Sequence, residues 1–390
     1  MNNTDNMIFI GPINPFDSKI SGTQNYVMNF LNSVNKTERV MLCGYTTIEN
    51  VNKNIRSNIR FLPLVVYEKK KDRFLFPQTF KFILALYKRK KDTFLAQNVL
   101  HIQRLDFAIP FLFPSKKGKI VLYFHGAASK GYLTGKGLKS KIKGYIYLIL
   151  EHLILPNVDK IVTVSKKDEE FYANKYPKEK EKIITIPIPI NVDEFDIKAG
   201  KKDLRNRLGL NQDHKIILYV GRFSKVKGID LIIRAFLDLN KEVPDVDLVL
   251  VGQGEEEGRL RELISSLRVK NVHFLRTLPH EDVPNILNCA DVLAMASYTE
   301  GLPTILLEAL ACGLPVVSTD VGDIGNVVTS ERIGFLLKNR SKEDYKNKLT
   351  SALKMSDEYK ADRREVAERY SSNAMVKRIM KMHNELAGVI

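Results

Sequence analysis

The chain runs to 390 residues, 44% of them hydrophobic and 27% charged, with a formal net charge of +16. That length calls for two cores rather than one, and the balance excludes disordered and fibrous classes. Cys43, Cys289 and Cys312 form no CxxC pair and stand beside no histidine cluster, which argues against a disulfide framework or structural zinc and fits a reducing compartment.

In chain order, residues 1–6 lack the basic and apolar segments of a secretory leader, so none is expected. A strand at 7–10 is followed by a turn-rich loop at 11–22 and a helix at 23–34. Apolar runs of β character recur at 40–44, 59–64, 99–102, 120–124 and 160–164, with longer helical patterns between some of them. Strands alternating with helices predict a parallel sheet covered on both faces. The longest strongly apolar run, 145–155, is interrupted by Glu151 and His152. It falls short of the roughly 20 residues that span a bilayer, so no transmembrane anchor is expected.

At 183–192 the pattern breaks into Ile-Pro-Ile-Pro-Ile-Asn-Val, and prolines at alternate positions fix an extended segment. This reads as a linker between domains. A second series follows, with strands at 215–220, 247–251, 272–275, 292–296 and 316–319. Helical patterns at 229–240, 255–267, 284–288 and 304–312 separate them, and the tail from 344 is mostly helical. The expected fold class is therefore α/β, with two doubly wound Rossmann-like domains facing across a cleft and ligands beyond the carboxyl ends of the strands. The domains are expected at 1–189 and 190–370, with a C-terminal helix at about 371–390 packing back on the first.

The charge is unevenly divided. Residues 1–190 carry 31 Lys and Arg against 15 Asp and Glu, whereas residues 191–390 carry 30 of each. An acidic partner should therefore face the first half.

Two constellations carry chemistry. Gly221-Arg222-Phe223-Ser224-Lys225-Val226-Lys227-Gly228 follows a strand and leads into a helix, which offers free backbone N–H groups and a positive dipole end. Arg222, with a planar fork, and Lys227, a point charge, suit a diphosphate. The loop lacks the GxxxxGK[ST] order of a Walker A motif. The second constellation runs from Glu300-Gly301-Leu302-Pro303-Thr304 to Gly313. Pro303 near a helix start and Gly313 past its end bracket a short helix that is apolar except at Thr304 and Glu308. Such a helix is buried, and its carboxylate needs partners; sugar and ribose hydroxyls or a structural Arg would both serve.

Together these features resemble the retaining GT-B glycosyltransferases of family 4, also described as glycosyl transferases group 1. Members share a GRxxxxKG loop and a downstream E-x7-E element followed by an apolar helix, a glycine and Pro-Val-Val. Arg222, Lys227, Glu300 and Glu308 match position by position, and most of 215–335 takes part. The resemblance implies a hexosyltransferase-type enzyme without metal or other cofactor, using a nucleotide-diphosphate-sugar as co-substrate. It implies that Arg222 and Lys227 hold the diphosphate, that Glu300 with adjacent loop amides holds the sugar, with Gly301, Leu302, Pro303 and Thr304 among the donor-binding residues, and that Glu308 binds the ribose. Gly252, Gly254, Arg276 and Leu278 are implied near the nucleobase. In the first half the family's paired glycines read Ser21-Gly22, so Gly22 is kept as a donor-phosphate or acceptor contact, and His125 matches a histidine that orients sugar or acceptor. The acceptor is expected to be a glycan or lipid-linked glycan of cell-surface polysaccharide or glycoconjugate synthesis.

Two patterns mislead. Asp245-Val246-Asp247 is formally DxD but precedes a strand, at the end away from the ligand side. The run from Gly252 to Gly258 imitates a dinucleotide fingerprint with one residue too many and three consecutive acids that would repel a pyrophosphate. Basic clusters at 69–73, 88–91, 116–119 and 136–143 all fall in the first half, and the last precedes the apolar run 145–150. That combination suits an interfacial helix on anionic lipid, and a solvated basic face over a core helix is the alternative. The chain thus reads as cytoplasmic, peripheral at the inner face of a membrane. A small soluble acceptor such as a sugar phosphate is the second reading. A nucleic-acid-binding protein is the third; no recognisable binding motif supports it, so nucleic acid is not an expected partner.

Overall fold

The computed structural model describes residues 7–16, 22–47, 50, 55–67, 78–93, 98–112, 118–126, 137–196, 200–355 and 357–389. The chain divides into two compact units, one of Met1–Pro189 with Ser372–Ile390, the other of Ile190–Ser371.

Unit 1 is built on strands β1 (Met7–Ile10), β2 (Val40–Thr47), β3 (Ile59–Tyr67), β4 (Val99–Ile102), β5 (Lys119–Phe124), β6 (Lys160–Thr163) and β7 (Ile183–Thr185). They form one parallel sheet in the order β3-β2-β1-β4-β5-β6-β7. Every residue of β1, β2 and β4 is buried, which is why these strands read as continuous apolar runs rather than alternating ones. On one face helix Gly22–Ser33 packs Tyr26 and Phe30 against Phe9. The C-terminal helix Ser372–Ala387 adds Met375, Ile379 and Met382 to the same core. On the other face lie helices Gln78–Thr93, Leu138–Ile154 and Lys166–Lys175 and the 3-10 turn Leu105–Phe111. Strand order reverses between β1 and β4, the position at whose carboxyl ends ligands gather in sheets of this kind.

Unit 2 holds β8 (Lys215–Val220), β9 (Val246–Val251), β10 (Val272–Leu275), β11 (Val292–Ala294), β12 (Val316–Thr319) and β13 (Gly334–Leu337). This sheet is also parallel, in the order β10-β9-β8-β11-β12-β13, with its reversal between β8 and β11. Asp291 closes the amino end: it pairs with Arg205 at 2.6 Å and accepts from the Ile216 amide at 2.7 Å. Helix Thr304–Ala311 is buried from Leu306 to Ala311. The expected α/β class, with two parallel-sheet units each doubly wound, follows.

Two expectations need correction. The segment 183–192 is not all linker, because Ile183–Thr185 is the edge strand β7, paired with β6. Pairing ends before Pro187 and Pro189, which have no N–H to donate. Strand β13 was not expected; four residues opening on glycine give too little apolar pattern to read. Asp247 lies within β9 near its amino end, where His214 Nδ1 bonds it at 2.9 Å, so the DxD pattern is strand entry.

Candidate functional site

In unit 2 the loops leaving β8, β9, β10 and β11 carry the residues of interest. After β8 the chain turns at Gly221 and buries Phe223 completely, with the Phe223 amide on the Gln253 carbonyl at 2.9 Å. The loop after β9 comes so close that a Cβ on Gly252, at φ 143°, would lie 2.0 Å from the Gly221 carbonyl oxygen. Gly252 is thus required by the packing of the loops after β8 and β9 on each other. The turn Lys225–Lys227 ends at Gly228, φ 60°, which starts helix Ile229–Glu242.

Lys227 and Glu300 meet. Lys227 Nζ stands 2.6 Å from Glu300 Oε1, and Ser297 Oγ donates to the same oxygen at 2.6 Å. The Glu300 side chain keeps 11% of its accessible surface. Burial, and then the charge of Glu300, push the nearby Tyr219 phenol above its ordinary pKa. The loop 296–301 is fastened from several sides. Arg340 Nη1 donates to the carbonyls of Ala296 and Ser297, and its guanidinium stacks on Tyr298 at 3.8 Å. Thr319 Oγ1 donates to Ser297 at 2.7 Å, and the Asp323 amide to Gly301 at 2.9 Å.

Arg222 is placed differently. It is 73% exposed and paired with Glu255 at 3.0 Å, an ion pair of the kind worth about 0–1 kcal/mol. It can therefore turn to a ligand at little cost. Arg222 also lines a cavity of about 700 Å³ with Gly252, Gly254, Leu278, Thr277 and Val283, at the carboxyl ends of β8 and β9. Arg276 lines a second hollow of about 410 Å³, with Arg261 stacked at 4.0 Å on Phe274; the two hollows share Gly252, Gln253 and Glu257. Lys227, Glu300 and Glu308 line neither. Leu302 is buried, Pro303 precedes the helix and Thr304 opens it. Glu308 is 6% exposed on that helix; burial, then its charge, raises the Cys312 thiol to about 12.

In unit 1 His125 follows β5. Its Nε2 bonds Gln103 Oε1 at 2.9 Å, and its ring meets Tyr26 edge-on at 5.3 Å. Because Gln103 Oε1 accepts, Nε2 carries the proton and Nδ1 a lone pair. Nδ1 is buried and has no hydrogen-bond partner among the described residues. Burial lowers the His125 pKa to about 4, so the ring is neutral at neutral pH. Gly22 opens helix Gly22–Ser33, and a Cβ there would meet nothing within 4 Å, so packing does not demand glycine. Ser21 lies outside the described residues, as do the basic cluster 69–73, residues 116, 117 and 136, and the side chains of 90 and 91.

Sequence reasoning missed Ser297, which donates to Glu300, Arg340, which fastens the loop that carries Glu300, and Tyr219, whose hydroxyl donates to the Arg222 carbonyl at 3.0 Å. Their hydroxyl and guanidinium groups had no motif around them, and only the fold shows what they touch.

Two parallel α/β sheets, with Arg222, Lys227, Glu300 and Glu308 in the second unit, define the class of protein to compare. Residues 200–374 match the family described as glycosyl transferases group 1. The D-inositol 3-phosphate glycosyltransferase of Corynebacterium jeikeium is 28% identical over 252 residues, which cover 61% of this chain and 60% of that one. Among solved structures, sucrose-phosphate synthase from Thermosynechococcus elongatus superposes with a TM-score of 0.75 at 22% identity, covering 98% and 100% of the two chains. Anabaena HepE in complex with UDP-glucose gives 0.71 at 16% identity, covering 97% and 99%. At such identities the structural likeness establishes the fold. With the family match confined to unit 2 and the Corynebacterium relative matched over about 60% of its length, these findings show the GT-B fold and a second unit similar to glycosyl transferases group 1.

Proposed function

We propose that the protein is a retaining glycosyltransferase that moves a sugar from a nucleoside-diphosphate donor held by unit 2 to a glycan or lipid-linked acceptor. The observation that carries this reading is the Lys227–Glu300–Ser297 cluster, in a unit matching glycosyl transferases group 1 and with a cavity of about 700 Å³ at its strand ends. In this reading Arg222 leaves Glu255 for the diphosphate, and Lys227 joins it in neutralising charge on the departing group, so that no metal is required. Glu300 and the amides of Gly301, Leu302 and Thr304 hold the sugar, and Glu308 takes ribose hydroxyls. The lone pair on His125 Nδ1 orients a hydroxyl of sugar or acceptor. HepE was solved with UDP-glucose, which supports a nucleotide-sugar donor here.

The acceptor reading rests on the basic first half, and it places the protein at the inner face of a membrane in polysaccharide or glycoconjugate synthesis. A small phosphorylated acceptor is a second reading, favoured by the likeness to the D-inositol 3-phosphate glycosyltransferase of Corynebacterium jeikeium. A thermal-shift screen against UDP-, GDP- and ADP-sugars tests the donor assignment. A rise in melting temperature with one nucleotide class is expected. No response to any, from folded protein, would overturn it. Transfer assays with glycolipid and with inositol phosphate acceptors then separate the two acceptor readings.

A further inference from the structure

Helix Leu138–Ile154 is amphipathic the wrong way round for a core element. Its inner side buries Gly144, Glu151 and Ile154. Glu151, fully buried, anchors it by accepting from Lys175 Nζ and from the Tyr176 hydroxyl, each at 2.7 Å. Its outer side exposes Leu138, Ile142, Tyr145, Ile146, Ile149 and Leu153, with Leu138 at 75% and Tyr145 and Ile149 at 61%. At roughly 100° per residue, positions i, i+4, i+7, i+8, i+11 and i+15 fall on one stripe. Contiguous exposed apolar surface of this kind marks an interaction site.

The stripe has a neighbour. Helix Gln78–Thr93 and helix Leu138–Ile154 both pack against the 3-10 turn Leu105–Phe111. Helix Gln78–Thr93 exposes Phe80, Leu84 and Tyr87 at i, i+4 and i+7, and Ile109 is exposed on the shared turn. The exposed charges among the described side chains of these three elements have one sign. Lys139, Lys141 and Lys143 are exposed on one helix, and Lys81, Lys88 and Arg89 on the other. Among the described side chains of all three elements no carboxylate is exposed; Asp106 and Glu151 are buried, on Arg104 and Lys175.

Charge chooses the occupant. A second copy of the same face would set lysines against lysines, since a two-fold contact meets itself. An anionic bilayer answers both features, with an acyl boundary for the stripe and headgroup phosphates for the cations. No helix among the described residues is long and apolar enough to cross a membrane, so the helices would lie in the interface.

We propose that helices Leu138–Ile154 and Gln78–Thr93 form an interfacial docking face for an anionic lipid surface, with Ile142, Ile146 and Ile149 entering the headgroup boundary and the flanking lysines on the phosphates. This deepens the lipid-linked acceptor reading and gives unit 1 its membrane-facing side. The docking itself needs no donor, so it stands or falls separately from sugar transfer.

The chain has no tryptophan, so one placed on the stripe reports alone. With the full chain carrying Ile149→Trp, vesicles of phosphatidylcholine and phosphatidylglycerol should shift the emission to the blue, and brominated lipid should quench it. The same probe at Val243, exposed in unit 2, should stay unchanged. Ile142→Glu with Ile149→Glu should lower vesicle partition at least tenfold at low salt, and each of Lys139→Gln and Lys141→Gln about fivefold. Donor-induced thermal shifts should be the same in the Ile142→Glu, Ile149→Glu protein as in wild type, which also shows that it is folded. The proposal is overturned by vesicle binding that leaves the probe unshifted, by no binding at low salt, or by a dimer in solution that the glutamate pair dissolves.

Discussion

Lys227 and Glu300 are coupled tightly enough that neither can be changed without exposing the role of the other. Lys227→Met removes the cation from a carboxylate that is nearly out of water and leaves it only the Ser297 hydroxyl. We expect transfer to fall at least a hundredfold, on the scale of losing one preorganised charge at a reacting phosphate. On the proposed donor site, Glu300→Gln should keep a hydrogen-bond acceptor and lower the affinity for the sugar, and Arg222→Ala removes an exposed group that unit 2 should not need for folding. Initial rates with the preferred donor, beside melting temperatures within a few degrees of wild type, check all three. Wild-type turnover by Arg222→Ala and Lys227→Met would sink the donor-site assignment. A second residue-scale consequence concerns acid. His125 and His383 are both lowered by burial from 6.5 to about 4. Between those values the unfolded chain binds more protons than the folded one. The stability is therefore fully present above pH 6.5 and is lost as pH falls towards 4, at up to about 1.4 kcal/mol per pH unit for each histidine. The urea midpoint of unit 1 should fall across that window, and His383→Gln should flatten the fall; an unchanged slope would contradict the buried neutral pair of His383 and His101, 3.3 Å apart.

Among the elements, the loops of unit 2 show why backbone geometry can outweigh side-chain chemistry. Gly252→Ala puts a methyl 2.0 Å from a carbonyl at a φ of 143°. A loss of about 2–4 kcal/mol is expected from clash and strain together, read as a lower urea midpoint for unit 2. A stability change below about half a kcal/mol would mean the two loops separate freely. The physical reason these loops were legible is locality. Gly221 to Gly228 and Glu300 to Glu308 are each one segment, and burial on both faces of parallel strands writes β8, β9 and β12 as apolar runs. What was illegible depends on partners far along the chain. Lys227 meets Glu300 across 73 positions. Arg340 reaches Ala296 across 44. Strand β7 looked like linker because its partner, β6, decides that it is a strand. The glycines at 252 and 254 were read as near a nucleobase; both line the larger cavity, and their close backbone contacts explain them as well.

For the whole molecule, the chain leaves unit 1 once and returns once, and the ends of unit 2 are joined where Ile190 N–H donates to the Tyr370 carbonyl at 3.0 Å. Unit 1 is therefore completed only by the last helix. Met375, Ile379 and Met382 are buried in its core with Phe9, Tyr26 and Phe30. His383 stacks on His101, whose Nδ1 lies 2.8 Å from the Tyr123 hydroxyl. Burying each large apolar side chain contributes roughly 1.5–3 kcal/mol, so three amount to much of the 5–15 kcal/mol by which a domain is stable. A chain ending at Ser371 should consequently lose unit 1 and keep unit 2. Hydrogen exchange distinguishes them: amides of β1, β2 and β4 should exchange at near-unfolded rates while those of β8, β9 and β12 retain protection. Because unit 2 carries the proposed donor site, the truncated chain should still shift its melting temperature with the preferred nucleotide, yet transfer no sugar. Retained protection in β1 and β4 would show that unit 1 closes its core without the helix, and the argument from buried area would fail.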